Sequence, residues 1–170
     1  MARYSLWLLL PPEAERAFRV AKRTADKALK GDDFQPHLTV AGAFETSLEH
    51  FRRICVDAIH TSEPASAGWS VAPSDYELGE TYFQSLYVRC NVSQGVRFIR
   101  QSVFQALGVP DTDFIPHISL YYGKADAEAR RKILPELPRP IGTFQTRQFS
   151  IAGEGDKPMS WEIVLELPTM

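Results

Sequence analysis

The chain has 170 residues, of which 44% are hydrophobic and 11% aromatic, enough for one buried core or two small lobes and too apolar for an intrinsically disordered chain. Its 19 Lys and Arg residues against 21 Asp and Glu give a formal net charge of −2, which excludes a general electrostatic attraction to nucleic acid or anionic membrane. No run approaches the roughly 18 apolar residues that span a bilayer, so we expect a soluble, cytoplasmic protein with no membrane partner.

The first twelve residues, MARYSLWLLLPP, allow two interpretations. Arg3 followed by the apolar residues 5–10 could be a secretory signal, but the apolar run is short and no small-residue cleavage site follows. A core strand over residues 3–10, ended by two prolines, explains the pattern better. Cys55 and Cys90 lack Cys-x-x-Cys spacing and are interpreted as free cytosolic thiols.

A helix follows, because apolar residues recur at spacings of three and four from Ala14 to Leu29. Its other side carries a basic stripe: Arg16, Arg19, Arg23, Lys27 and Lys30. Such a stripe could contact nucleic acid, but we interpret it as a solvated outer face.

The rest of the chain alternates strands and helices. In order, the pattern predicts a turn at 31–33, a strand at 34–43, a helix at 47–60, a loop at 61–68, strands at 69–78 and 82–92, a helix at 93–107, a strand at 113–122, a helix at 126–134, a strand at 142–152, a turn at 155–158 and a strand at 160–167. The order strand-helix-strand-helix thus occurs twice, which predicts a duplicated α+β unit. We expect one two-lobed domain over residues 1–170, acting as a monomer.

Each unit contains a version of the same pentapeptide, PHLTV at 36–40 and PHISL at 116–120. Because side chains alternate along a strand, His37 and Thr39 share one face, and so do His117 and Ser119. The aliphatic residues between and after them point to the opposite face. If the units pack with pseudo-twofold symmetry, both His-hydroxyl pairs face one cleft.

Two imidazoles and two hydroxyls around a cleft suit the opening of a phosphodiester by general acid-base catalysis. One neutral histidine, His37 or His117, takes a proton from the attacking water, while the other protonates the departing alkoxide. An unperturbed pKa near 6.5 allows both forms near neutral pH. Thr39 and Ser119 would hydrogen-bond the non-bridging phosphate oxygens. Both roles are filled without a metal or another cofactor.

Other interpretations of the histidines are weaker. Two His with a carboxylate such as Asp113 could bind zinc, but a zinc site does not explain the hydroxyl two residues after each His. His50 and His60 lie on a predicted helix without that hydroxyl companion, and we interpret them as surface or packing residues.

The paired His-x-Thr/Ser motifs resemble those of the two-histidine phosphoesterase superfamily, which includes RNA 2′,3′-cyclic phosphodiesterases and 2′-5′ RNA ligase-like proteins. The stretches SLWLLLPP, TYFQSLYV and PHISLYYG are most similar to the small cyclic phosphodiesterases of plants and yeast, known for opening ADP-ribose 1″,2″-cyclic phosphate. The resemblance implies a bilobal α+β fold with helices outside two antiparallel sheets, a central groove between the sheets, and metal-independent hydrolysis.

Carried over position by position, the resemblance assigns acid-base catalysis to His37 and His117 and phosphate binding to Thr39 and Ser119. The aromatic residue after the second motif matches Tyr122, a candidate for stacking on a base or closing the groove, with Tyr121 as its competitor. Gln84 is a further candidate for substrate binding. Trp161 occupies the place of a family tryptophan near the C-terminus and is interpreted as core.

Three hypotheses follow. The first is a cyclic phosphodiesterase acting on a small cyclic-phosphate nucleotide, and the second is an enzyme of RNA processing that acts on 2′,3′-cyclic phosphate ends. The third is a nucleotide- or RNA-binding module without turnover. The intact pairs His37/Thr39 and His117/Ser119 favour an enzyme, since binding alone does not require two proton-transfer groups.

Overall fold

The computed structural model describes residues 2–62, 68–155 and 160–167. Its elements in chain order are β1 (Arg3–Leu9), α1 (Pro12–Leu29), β2 (His37–Glu45), α2 (Leu48–Thr61), β3 (Trp69–Leu78), β4 (Leu86–Val92), α3 (Gln94–Ala106), β5 (His117–Tyr121), α4 (Ala127–Ile133), a 3₁₀ turn (Leu134–Glu136), β6 (Phe144–Thr146), β7 (Phe149–Glu154) and β8 (Trp161–Leu167). The α+β class is confirmed. The predicted loop at 61–68 and turn at 155–158 lie largely outside the described residues.

All eight strands form one antiparallel sheet, in the order β6-β3-β4-β5-β2-β1-β7-β8. The two separate sheets that we expected are therefore joined. The join is the contact between the motif strands β2 and β5, where Leu38 lies opposite Ile118. β2 and β5 would be edge strands of two separate four-stranded sheets, and here they pair with each other. The joined sheet therefore has fewer unpaired backbone groups than two separate sheets would have.

The strand order reflects the duplicated unit. β1-α1-β2-α2 is followed, after β3, by β4-α3-β5-α4. β3 follows the first unit and pairs with β4 of the second, and β7 follows the second unit and the short β6 and pairs with β1 of the first. The helices cross as well, because α1 packs on β5 and α3 packs on β2. The two units are therefore linked both by strand pairing within the sheet and by helix packing on it.

The helices cover one face of the sheet and leave the other face open. Leu38, Val40, Ile118 and Leu120 point into the main core, where they are at most 1% exposed and pack with the apolar faces of the helices. A small separate cluster around Trp7 lies on the opposite face. The motif histidines and hydroxyls are thus directed to the open face, as the alternation predicts.

Helix ends follow the local sequence. α1 begins at Pro12 with acidic residues in its first turn, and Ser47 and Asp126 cap α2 and α4 by accepting hydrogen bonds from backbone amides.

No helix among the described residues is long and apolar enough to cross a membrane.

Four strand predictions need correction. The strand expected at 142–152 is two strands, β6 and β7, which pair with β3 and β1 in opposite halves of the sheet. The strand expected at 82–92 begins at Leu86, because residues 80–85 form bends and turns. β2 and β5 begin at their histidines and not at 34 and 113, since the preceding prolines have no amide hydrogen to donate to a ladder.

Candidate active site

The six residues singled out from the sequence line one groove on the open face of the sheet. The groove has a volume of about 360 Å³, at the lower end of the range for small-molecule sites. Its predicted lining residues are His37, Thr39, Gln84, His117, Ser119 and Tyr122. Their neighbours include Arg3, Ser5, Trp7, Thr81, Phe83 and Trp161.

The two imidazoles are held in the same way. His37 Nδ1 lies 2.7 Å from the carbonyl oxygen of Gln35, and His117 Nδ1 lies 2.8 Å from that of Ile115. A carbonyl can only accept, so each Nδ1 carries a hydrogen and donates it. The neutral form of each ring is therefore the Nδ1–H tautomer, and its Nε2 lone pair is available to take a proton.

Each histidine also contacts an aromatic ring on the neighbouring strand. Trp7 of β1 stacks on His37 with ring centroids 3.5 Å apart and planes 10° apart. Tyr87 of β4 meets His117 edge-on, at 5.1 Å and 62°. The two rings hold equivalent positions, because Trp7 lies opposite Thr39 and Tyr87 lies opposite Ser119.

Sequence reasoning missed this second repeat, although its signal is present. The chain reads Ser-Leu-Trp at 5–7 and Ser-Leu-Tyr at 85–87, the same eighty-residue offset that separates His37 from His117. Aligning the two units on that offset would have placed an aromatic ring beside each histidine.

Burial controls the charge of both imidazoles. Desolvation lowers the pKa of His37 to about 4, and the neighbouring His117 acts in the same direction, against the hydrogen bond to Gln35. Desolvation also lowers the pKa of His117. Burial therefore favours the neutral form of both rings at pH 7. A bound phosphate anion would favour the protonated form of a nearby ring.

The two hydroxyls differ in their present partners. Ser119 Oγ donates to the carbonyl of Phe83 at 3.0 Å. Within the described part of the chain, the hydroxyl of Thr39 has no hydrogen-bonded partner. Thr39 can donate to a ligand without rearrangement, whereas Ser119 must first release Phe83.

Aromatic residues form one wall of the groove. Tyr122 stacks on Phe34 with centroids 4.0 Å apart and meets Phe83 edge-on at 5.3 Å. Tyr121 is 5% exposed and packs in the core on the helix side, so Tyr122 is the tyrosine that reaches the groove. Burial raises the pKa of the Tyr122 hydroxyl, which keeps it neutral.

Gln84 and Trp161 complete the lining. The side-chain amide nitrogen of Gln84 lies 3.5 Å from His117 Nδ1, too far for a strong hydrogen bond. Trp161, which we expected in the core, is half-buried and lines the groove, with the Arg3 guanidinium 5.9 Å from its ring centroid. Its ring packs against the Trp7 cluster on the open face of the sheet.

The residues set aside in the sequence lie away from the groove. His50 and His60 are exposed on α2. The basic stripe of α1 contributes no residue to the groove lining, and Arg19 in it pairs with Glu15 at 2.8 Å. Among the described residues, no three His, Cys, Asp or Glu side chains come close enough together to hold a metal ion.

Comparisons with known proteins agree with the fold. No family model and no curated protein matches the sequence. Among solved structures, LigT of Escherichia coli in its apo form is similar with a TM-score of 0.68 and 16% identity, over 98% of this chain and 95% of that one. TT0787 of Thermus thermophilus gives 0.66 and 17%, over 96% of both chains.

A structure described as a phosphoesterase gives a TM-score of 0.64 and 15% identity, over 99% of this chain and 97% of that chain. The chain therefore spans nearly the whole length of these proteins and shares their fold. The α+β fold that the motif resemblance implied is therefore the fold of these solved structures.

Proposed function

We propose that this protein is a cyclic phosphodiesterase that opens small cyclic phosphate esters, using His37 and His117 as a general acid-base pair. The observation that carries the proposal is the matched tethering of the two rings in one groove. Each Nδ1 donates to a carbonyl two residues earlier in the chain, which leaves each Nε2 for proton transfer. A binding site has no need of two such groups in the same tautomer.

The two imidazoles suffice for the proton transfers of the reaction. The Nε2 of one neutral imidazole takes a proton from water as the water oxygen forms a bond to phosphorus. The bond from phosphorus to one ring oxygen breaks, and the departing alkoxide takes a proton from the imidazolium of the other histidine. Each turnover ends with the pair carrying its single proton on the opposite ring, and exchange with solvent resets it.

The lowered pKa values of the two histidines suggest how the acid is formed. Burial favours the neutral form of both rings, so one must gain a proton when the substrate binds. A cyclic phosphate brings one negative charge, which raises the pKa of an adjacent imidazole. Thr39 and Ser119 supply hydrogen bonds to the non-bridging oxygens, whose charge grows in the transition state.

The groove favours a substrate of mononucleotide size, such as a nucleoside 2′,3′-cyclic phosphate or ADP-ribose 1″,2″-cyclic phosphate. Its volume of about 360 Å³ fits a small molecule, and Arg3 is the one Lys or Arg in the described lining. RNA binding draws much of its strength from several cations that contact successive phosphates. Structures of E. coli LigT complexed with 3′-AMP and with ATP support a nucleotide ligand for this fold.

The alternative is an enzyme acting on RNA ends, and the placement of Arg3 favours it. Arg3 stands on the same strand face as Trp7, four residues away, or about 13 Å along a strand. Its side chain is 50% exposed, although Glu154 lies 3.3 Å away and offsets its charge. A second phosphate of an RNA end could reach this guanidinium.

One substrate comparison tests the proposal and separates it from the alternative. Adenosine 2′,3′-cyclic phosphate is compared with the same group on a ten-nucleotide RNA, in the presence of a chelator. We expect adenosine 2′-phosphate as the product, no effect of the chelator, and an efficiency that changes little between about 50 and 200 mM salt. If the RNA is processed more than about tenfold better, with an advantage that higher salt or a neutral replacement of Arg3 abolishes, the RNA-end enzyme takes the place of this proposal.

A further inference from the structure

Each histidine of the proposed pair is preceded by a segment that belongs to no helix or strand. Residues 31–36 lead to His37 and residues 111–116 lead to His117; we name them the first and second approach segments. Each contains the carbonyl that accepts the Nδ1 hydrogen of its histidine, at Gln35 and at Ile115. The orientation of each imidazole therefore depends on irregular backbone.

A buried cation from α1 holds the first approach segment. Lys22 is 2% exposed, and its Nζ donates to the carbonyl oxygen of Asp32 at 2.6 Å and to the carboxylate of Asp26 at 2.8 and 3.0 Å. The same Nζ lies 3.8 Å from the ring centroid of Phe34, the residue before Gln35. Lys22 thus holds the first approach segment at two positions, Asp32 and Phe34.

A buried cation from α3 holds the second approach segment. Arg100 is 8% exposed, and its guanidinium carbon lies 4.4 Å from the Phe114 ring centroid. Its Nε donates to Asp111 Oδ1 at 2.9 Å, and its Nη2 lies 2.7 Å from the same oxygen. Its Nη1 donates to the carbonyl of Val40 at 2.9 Å. Because Val40 follows Thr39 on β2, Arg100 also ties the second segment to the first motif strand.

The two arrangements are counterparts in the duplicated fold. Asp33-Phe34 and Asp113-Phe114 stand eighty residues apart, as do the histidines, and the cations come from the equivalent helices α1 and α3. Neither cation is among the residues that line the groove. A buried charge is costly unless it is paired and hydrogen-bonded, and each cation makes at least one of those bonds to its approach segment, Lys22 to Asp32 and Arg100 to Asp111.

We infer that Lys22 and Arg100 are positioning residues, each of which fixes the carbonyl that sets the tautomer and orientation of the following histidine. The effect on rate rests on the proposed function, whereas the effect on the tautomer needs no substrate. Lys22 acts on His37 through the first approach segment, and Arg100 acts on His117 through the second.

The test is ¹⁵N NMR of the histidine ring nitrogens in the full chain, for the wild type, Lys22→Met and Arg100→Met. In the wild type, His37 and His117 are expected as Nδ1–H tautomers. His50 is the internal reference with the opposite tautomer, because Arg53 donates to its Nδ1 at 3.0 Å. Lys22→Met should convert only His37 to a mixture of tautomers.

Arg100→Met should act mainly on His117, so each variant serves as the control for the other. Arg23→Met and Gln101→Met alter exposed positions next to the two cations on the same helices and should change neither ring. In the affected variants kcat should fall at least about tenfold, with KM within about threefold, since misplaced groups lose rate before they lose binding.

If Lys22→Met or Arg100→Met does not fold, the carboxylate left without its partner is replaced as well. The double variants are Lys22→Met with Asp26→Leu and Arg100→Met with Asp111→Leu. The inference is overturned by unchanged tautomers in folded variants, by equal changes at both histidines in every variant, or by an Nε2–H tautomer of His37 or His117 in the wild type. If no cyclic phosphate is turned over, the proposed function fails, and the tautomer pattern still decides this inference.

Discussion

The buried neutral state of His37 predicts a loss of stability in acid that one substitution should remove. Folding lowers the pKa of His37 from 6.5 to about 4, so below the unfolded pKa the unfolded chain binds a proton that the folded chain does not. The contribution of this group to the free energy of unfolding is complete above pH 6.5 and falls as the pH drops toward the folded pKa. The full difference corresponds to about 3 kcal/mol.

Most of this loss falls within a range that is easily measured. For these two pKa values, the free energy of unfolding should fall by about 2 kcal/mol between about pH 7 and pH 5 because of His37 alone. Urea unfolding with linear extrapolation, repeated across this range, gives the slope for the wild type and for His37→Gln. The variant loses the Trp7 stack, so it should be less stable than the wild type at pH 7, but its free energy of unfolding should fall by about 2 kcal/mol less between pH 7 and pH 5.

The matched control is His60→Gln, which removes an imidazole from an exposed position outside the groove. Its curve should run parallel to that of the wild type. Parallel curves for His37→Gln and the wild type, within about 0.5 kcal/mol, would refute the reasoning, because they mean that His37 accepts a proton in the folded state as easily as in the unfolded state.

Two further predictions concern rate and packing. The pH profile of kcat/KM should be a bell with an acidic limb below pH 6.5, because burial lowers the pKa of both histidines. Thr39→Ala and Ser119→Ala should lower the rate about 10²-fold and leave both limbs of the bell in place. A rate that holds a plateau above about pH 8 argues for a different acid. Trp7→Ala should lower the free energy of unfolding by about 3–5 kcal/mol, because Trp7 is 5% exposed and stacks on His37. In the same urea titration, Trp7→Phe should recover most of this loss. A loss below about 1 kcal/mol in Trp7→Ala would contradict the close packing of Trp7.

The parts of the fold that sequence reasoning predicted well are those decided by local pattern. The periodic face from Ala14 to Leu29 is α1, and the alternation within each pentapeptide correctly separates His37 from Leu38. Propensity, helix caps and side-chain alternation all act over a few residues, so one sequence is enough to reveal them.

The parts that it missed depend on pairing between distant segments. Residues 142–152 alternate like one strand, but their two halves pair with β3 and β1 in different parts of the sheet, and nothing local marks that division. Lys22 and Arg100 carry charges that favour solvent on average, and only the packing of α1 on β5 and of α3 on β2 buries them. The roles of Trp7 and Tyr87 were visible in the eighty-residue offset, but only once the strands beside the motifs were aligned too.

The central claim, that two tethered histidines perform the chemistry, is tested most directly by single-histidine variants assayed on adenosine 2′,3′-cyclic phosphate. His37→Ala and His117→Ala should each lower kcat/KM at least about 10²-fold, the usual contribution of a general acid or base. His50→Ala and His60→Ala, which alter exposed positions outside the groove, should keep wild-type activity. Full activity in either His37→Ala or His117→Ala would contradict the account.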